Sequence, residues 1–328
     1  MPKLPLAATV VAALAVAACS DNQAPDTTSG RSELDPSGGL PVLASAKVDP
    51  AAAPAPGPSG QFTITLRFIN APTATQETRF DEAKAKWERI IVGDVPSVTG
   101  TIPARSCGNS FKTPAFQGTI DDILIDVLLQ PIDGPGAVLG AAGPCLVRSA
   151  DNLSVYGIMF FDTADLDFLE GLGFFDEVVT HEMGHVLGFG SLWDFNRSLL
   201  VGAGTADPRF VGPLAIAAYA DLHGSGTVPV EGDEGGAGTR DSHWDEATFF
   251  NELMTGFLNS SASANPLSAL SVASMGDLGY EIDPNAGDKY KLPSTPGPNL
   301  DLTATAGRGR DLDLTRGERL IRPTAMVQ

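Results

Sequence analysis

The 328-residue chain carries 40 acidic side chains against 21 basic ones, a formal charge of −19, which opposes binding to nucleic acid or to anionic membrane surfaces, since both require a basic footprint. With 43% hydrophobic residues it is long enough to bury a full core as one large unit, in one or two lobes.

At the N-terminus, Lys3 and the apolar run Leu6 to Ala18 predict an export signal over residues 1–18, too short to span a bilayer. The run ends at Val16-Ala17-Ala18-Cys19, which resembles the bacterial lipobox, whose cysteine is lipidated and becomes the mature N-terminus. An ordinary signal peptide cleaved at the Ala-rich end is the alternative. The expectation is an exported protein held at the bacterial membrane or cell surface through a lipid on Cys19, or else periplasmic or secreted. Cys107 and Cys145 are then the cysteines left in an oxidising compartment, where an even pair predicts a disulfide over two buried thiols.

Residues 19–60, rich in Pro, Ala, Gly, Ser and Asp, read as a flexible tether. The alternation of Gln61 to Phe68 predicts a strand. Thr75 to Ile91 predicts a helix burying Phe80, Ala83, Trp87 and Ile90 or Ile91 on one face. Ile120 to Leu129 and Val155 to Phe161 read as strands, separated by a long Gly-rich loop around Gly134 to Gly143 that the Cys107–Cys145 bridge would restrain. A helix entered through Asp176 and Glu177, whose carboxylates suit its positive end, stops at Gly188. The chain from Gly202 to Ser242 reads as irregular, Leu267 to Tyr280 as a last helix, and residues beyond Pro284 as a loose polar tail. The division is therefore 61–190 as an N-terminal lobe, 191–283 as a C-terminal lobe and 284–328 as a tail.

His181-Glu182-Met183-Gly184-His185 lies on the Asp176–Gly188 helix. Residues four apart share a helical face, so both imidazoles can reach one ion while Glu182 lies beside it. Zinc accepts two such nitrogens and a third ligand, leaving a position for a water that Glu182 can deprotonate. Val179, Met183, Val186 and Leu187 fall roughly opposite and can pack on a sheet. Two of the chain's four histidines take this spacing, which weighs against two ordinary helical histidines.

The extended metzincin pattern H-E-x-x-H-x-x-G-x-x-H is met in part: Gly188 is in place, but Ser191 stands where the third histidine would be. His223 and His243 remain. The residues around His243 read Val228-Pro229-Val230-Glu231-Gly232, then Gly235 to Thr239, Ser242-His243-Trp244 and Asn251-Glu252-Leu253-Met254-Thr255-Gly256. This resembles the leishmanolysin family, in which an insertion separates the helix glycine from a third zinc histidine in a His-Trp pair followed by a Glu-Leu-Met turn. The resemblance runs from the first strand to about Asp283. It implies that His181, His185 and His243 bind one catalytic zinc, that Glu182 is the general base, and that Met254 forms the methionine turn beneath the metal. It also implies an α+β, zincin-like metzincin fold, with a twisted mixed sheet and active-site helix in the first lobe and a largely irregular second lobe.

The other polar residues take plainer readings. His223 reads as a surface histidine, Asp162, Asp165 and Asp167 as solvated loop carboxylates rather than a calcium site, and Glu231 and Glu252 as carboxylates outside the ligand set. Gly256, two residues after Met254, leaves no zinc-contacting tyrosine there. The implied reaction is hydrolysis of internal peptide bonds in protein or peptide substrates. The strand Val155 to Phe161 is expected at the sheet edge, pairing with extended substrate. No pro-segment with an inhibitory cysteine is evident.

Overall fold

The computed structural model describes residues 40, 42–48, 60–134, 139–195, 198–232, 236–259, 265–294, 312–313 and 318–328. The expected export signal and Cys19 lie outside them. In chain order the first half contains β1 (Ala46–Val48), β2 (Ile64–Phe68), α1 (Ala74–Ile90), β3 (Val98–Ile102), β4 (Phe116–Ile120), β5 (Ile123–Gln130), β6 (Gly140–Arg148), β7 (Ser154–Asp162), α2 (Thr163–Leu172) and α3 (Phe175–Leu187). The second half contains β8 (Leu200–Val201), β9 (Arg209–Phe210), α4 (Pro213–Asp221), β10 (Val228–Pro229), α5 (Gly236–Thr239), α6 (Glu246–Phe249), β11 (Phe257–Leu258), α7 (Ala269–Leu278), β12 (Leu312–Asp313), β13 (Glu318–Leu320) and β14 (Ala325–Val327).

The largest sheet is mixed and has the order β13-β6-β7-β5-β2, with β14 also on β6. Strands β2, β5 and β7 run parallel, and β6 runs antiparallel to β7. The apolar runs of β5 and β7 follow from burial on both faces. Ile123, Ile125 and Val127 join the core under the helices, while Leu124 and Leu128 join a second core on the opposite face. That second core holds the expected disulfide: Cys107 and Cys145 are bonded, with Cα atoms 4.8 Å apart.

Helix α1 starts at Thr73, whose hydroxyl accepts from Gln76 N while the Gln76 side chain accepts from Thr73 N, a reciprocal cap that satisfies two free donors. Its buried stripe is Phe80, Ala83, Trp87 and Ile90, as the helical period predicts; burial of each large side chain contributes roughly 1.5–3 kcal/mol. The Trp87 indole N–H donates to Thr180 O at 2.9 Å, tying α1 to α3.

Four expectations are corrected. Gly140 to Gly143 belong to β6 rather than to a loop. Strand β7 is not at the edge: β6 and β5 flank it, and α2 intervenes before α3. The tether is structured in part, since β1 pairs antiparallel with β3; Gly100 permits this, because a Cβ there would collide with the backbone of Ser45 and Ala46. Lastly, the tail is not wholly loose. Strand β12 pairs with β11, and β13 and β14 run parallel to β6. These pairings join segments far apart in sequence, and strands of two or three residues leave no readable period.

Candidate metal centre

Helix α3 is buried from Val178 to Leu187, the stretch that carries both histidines. His181 and His185 lie one turn apart with Nε2 atoms 3.0 Å from each other. The helix ends at Gly188, with φ of 120°, and the chain turns back through Gly190, with φ of 65°. A Cβ on Gly190 would collide with the backbone of Ser242, so this glycine lets the segment carrying His243 approach the helix end. His243 Nε2 then lies 3.0 Å from that of His181 and 3.1 Å from that of His185.

Each ring is oriented from behind. His181 Nδ1 faces Leu253 O at 2.7 Å, His185 Nδ1 faces Phe189 O at 2.8 Å, and His243 Nδ1 faces Thr239 O at 3.1 Å. A carbonyl only accepts, so each Nδ1 carries the proton and each Nε2 turns a lone pair to the centre. All three rings are fully buried, and burial holds His185 well below its ordinary pKa.

A fourth group, Glu318 from β13, completes the cluster. Its carboxylate lies 3.0 Å from His243 Nε2, 3.3 Å from His181 Nε2 and 3.1 Å from His185 Nε2. Burial opposes its ionisation, but His243 and His185 hold its carboxyl well below the usual range. Three imidazole lone pairs and a carboxylate converging in a dry interior repel one another unless a cation lies among them. Nitrogens 3.0–3.1 Å apart suit one ion bonded at about 2.0–2.1 Å, and the N and O donor set suits zinc.

Glu182 follows His181 on the helix, is 2% exposed, and its Oε2 has no hydrogen-bond partner among the described residues. Burial, and then the charge of Glu318, push its carboxyl well above the usual range.

The second half of the chain supports this centre. Met254 is fully buried, and its Cε reaches α3 at Gly184, where an added Cβ would be 3.0 Å from it and 2.8 Å from Trp87 Cζ2. Glu252 fixes the turn: its carboxylate accepts from Met254 N at 2.6 Å, Ser268 N at 2.9 Å, Ser268 Oγ at 2.7 Å and Ser271 Oγ at 2.6 Å. Trp244 N donates to Met254 O at 3.0 Å, and the Trp244 ring stacks on Trp193 at 4.9 Å. His243 is thus held between the methionine turn and an aromatic core. Ser191 is also buried, and its hydroxyl donates to His185 O at 2.6 Å; it closes the helix end and contributes nothing to the metal cluster.

Other candidates lie elsewhere. His223 is exposed on the turn after α4. Glu231 accepts from Glu246 N. Asp162 and Asp165 are buried rather than solvated: Asp162 caps α2 through Ala164 N and accepts from Asp133 N and Gly134 N. Asp167 is exposed. The residue that sequence reasoning missed is Glu318, one of 40 acidic residues, in a tail without periodicity.

A sequence model of leishmanolysin peptidases matches residues 90–286, more than half of the chain. The match begins after β2 and most of α1 and spans all three histidines, Glu182 and Met254, but not Glu318. No curated protein matches the chain.

Proposed function

The chain belongs to the leishmanolysin family of zinc metallopeptidases, and from that premise we propose that His181, His185 and His243 hold one catalytic zinc and that Glu182 is the general base of peptide-bond hydrolysis. The observation that supports this most directly is the convergence of three Nε2 atoms within 3.0–3.1 Å of one another, each set by a carbonyl on its far nitrogen.

Zinc, when bound, supplies Lewis-acid polarisation of the scissile carbonyl and acidifies water. The protein's residues do the rest. The carbonyls of Leu253, Phe189 and Thr239 keep the rings neutral and correctly turned, and raise the basicity of the ligating nitrogens. Glu182, buried and proton-avid, accepts the proton of the attacking water and returns it to the departing amine nitrogen. No covalent bond forms between substrate and enzyme. Met254 packs from below as a fixed apolar floor.

In this reading residues 61–190 and 191–283 form the two walls of the active-site cleft, and the substrates are proteins or peptides outside the cytoplasm. The apolar run expected to act as an export signal and the lipobox-like Val16-Ala17-Ala18-Cys19 support that location. Among the described residues no helix is long and apolar enough to cross a membrane. The proposed attachment is a lipid on Cys19, and Cys19→Ser is then expected to release the protein from membranes.

Incubation with unfolded casein, with and without a zinc chelator, beside Glu182→Ala tests the mechanism. Cleavage should require metal and fall by about 10²–10⁴-fold in the variant, with zinc content unchanged. Equal cleavage by the variant would sink the assignment of Glu182.

A further inference from the structure

Strand β6 runs antiparallel to β7 on the outer side of the strands β6-β7-β5-β2, and its own outer side is taken by the C-terminal strands β13 and β14. Glu318 pairs with Gly140, Leu320 with Ala142, and Ala325 to Val327 with Leu146 to Arg148. Ile321 N donates to Ala142 O at 2.7 Å and Thr324 N to Cys145 O at 2.8 Å. Gly143 makes room for this strand, because a Cβ there would collide with the Ile321 carbonyl. Arg322 then bolts it to the segment after the metal helix, donating to Ser191 O at 2.6 Å and Asp194 Oδ1 at 2.8 Å.

We infer that Glu318 is a fourth protein ligand to the metal and that the C-terminal strand is a built-in inhibitor, occupying the sheet edge and the open coordination position together. This rests on the zinc site proposed above. Three arguments converge. The carboxylate spans all three nitrogens at 3.0–3.3 Å with 1% of its side chain exposed, a burial that a shared cation compensates. A hydrolytic zinc site needs one position open to water or substrate, and a fourth protein ligand closes it. An extended peptide docks by adding to a free sheet edge, and the carbonyls of Ala142 and Cys145 on that edge already accept from the tail.

Between Glu318 and Gln328 only Glu318 and Val327 are fully buried, the rest being half-buried or exposed. Val327 joins the second core, Ser149 N donates to Val327 O at 2.8 Å, and Arg322 is an outer anchor, so the strand is held along its length as well as at Glu318.

The test uses the full-length protein, wild type beside Glu318→Ala, Glu318→Gln and Arg322→Ala, each with folding verified by circular dichroism. Zinc content is measured first. Then come the visible spectrum of the cobalt-substituted protein, the rate of metal extraction by a chelator, and hydrolysis of an unfolded protein. All four proteins should bind one metal. Loss of outer contacts to a metal ligand already changes metal affinity by about 10–100-fold, so both Glu318 variants should release metal about tenfold faster or more. Their cobalt spectra should shift, and their hydrolysis should rise above wild type. Arg322→Ala keeps the carboxylate and should raise hydrolysis to an intermediate level. Identical spectra and extraction rates in wild type and both Glu318 variants would overturn the inference while leaving the zinc reading intact. Folded Glu318 variants that bind no metal would make Glu318 a permanent ligand and overturn it too. Absence of metal from the wild type would remove the zinc reading itself.

Discussion

The carbonyl of Leu253 accepts the Nδ1 proton of His181 at 2.7 Å, so the residue preceding the turn methionine sets the tautomer of a metal-facing ring 72 positions earlier in the chain. The turn is therefore more than packing beneath the metal. Its own shape depends on Glu252, which gathers four donors from the turn and the start of α7. Glu252→Ala leaves buried donors unsatisfied and should lower stability by about 2–4 kcal/mol. Through Leu253 it should also weaken metal binding by about tenfold or more. Denaturant titration and competition against a chromophoric chelator measure the two effects.

The third histidine separates two assignments cleanly. His243→Ala removes one of three converging nitrogens and should abolish stoichiometric zinc in metal analysis. His223→Ala, on an exposed turn, should leave zinc content and casein cleavage unchanged. Full zinc in the first variant would move the ligand elsewhere.

Close approaches at two glycines predict steric rather than chemical damage. At Gly184 a methyl group would press on Trp87 and Met254. Gly184→Ala should therefore cost about 1–3 kcal/mol of stability. Gly190→Ala should be more severe, since the added carbon meets backbone and the residue has a positive φ. Zinc content per folded chain should fall for Gly190→Ala, because His243 rides on the segment that must yield.

The Cys107–Cys145 bridge closes a loop of 38 residues, for which the chain-entropy argument gives about 4 kcal/mol. The bridge pins the β3–β4 loop to β6. Replacing both cysteines with serine should lower stability by about 2–4 kcal/mol, read by chemical denaturation, with the metal ligands in place.

Glu246 predicts a pH dependence. Burial, only partly offset by nearby Thr255 and Asn259, pushes its carboxyl up from 4.5 to about 8. A raised carboxyl is protonated in the fold and ionised in the unfolded chain. Its contribution to stability is thus full below about pH 4.5 and is lost as pH rises toward about 8. Glu246→Gln, which mimics the protonated form, should be more stable than wild type at pH 9 and close to it at pH 4. Equal differences at both pH values would show that the carboxyl does not titrate in this window.

What the sequence determined by itself is what local periodicity encodes. The apolar stripe of α1, the two-sided hydrophobic runs of β5 and β7, and the His181–His185 spacing are all short-range patterns, and each forms as read. The Cys107–Cys145 pair was also legible, because two cysteines in a chain expected to be exported have few alternatives. His243 was legible only through resemblance to a family, since no period links it to α3 across 58 residues. The tertiary structure decided the rest. It put β7 in the interior, between β6 and β5, and covered the outer side of β6 with β13 and β14, because strand order depends on which long-range pairings bury most surface, not on chain order. It also brought Glu318 to the histidines across 137 residues. A lone carboxylate in a polar tail carries no signal of its destination; only the strand that pairs it against β6 shows that it faces the metal site.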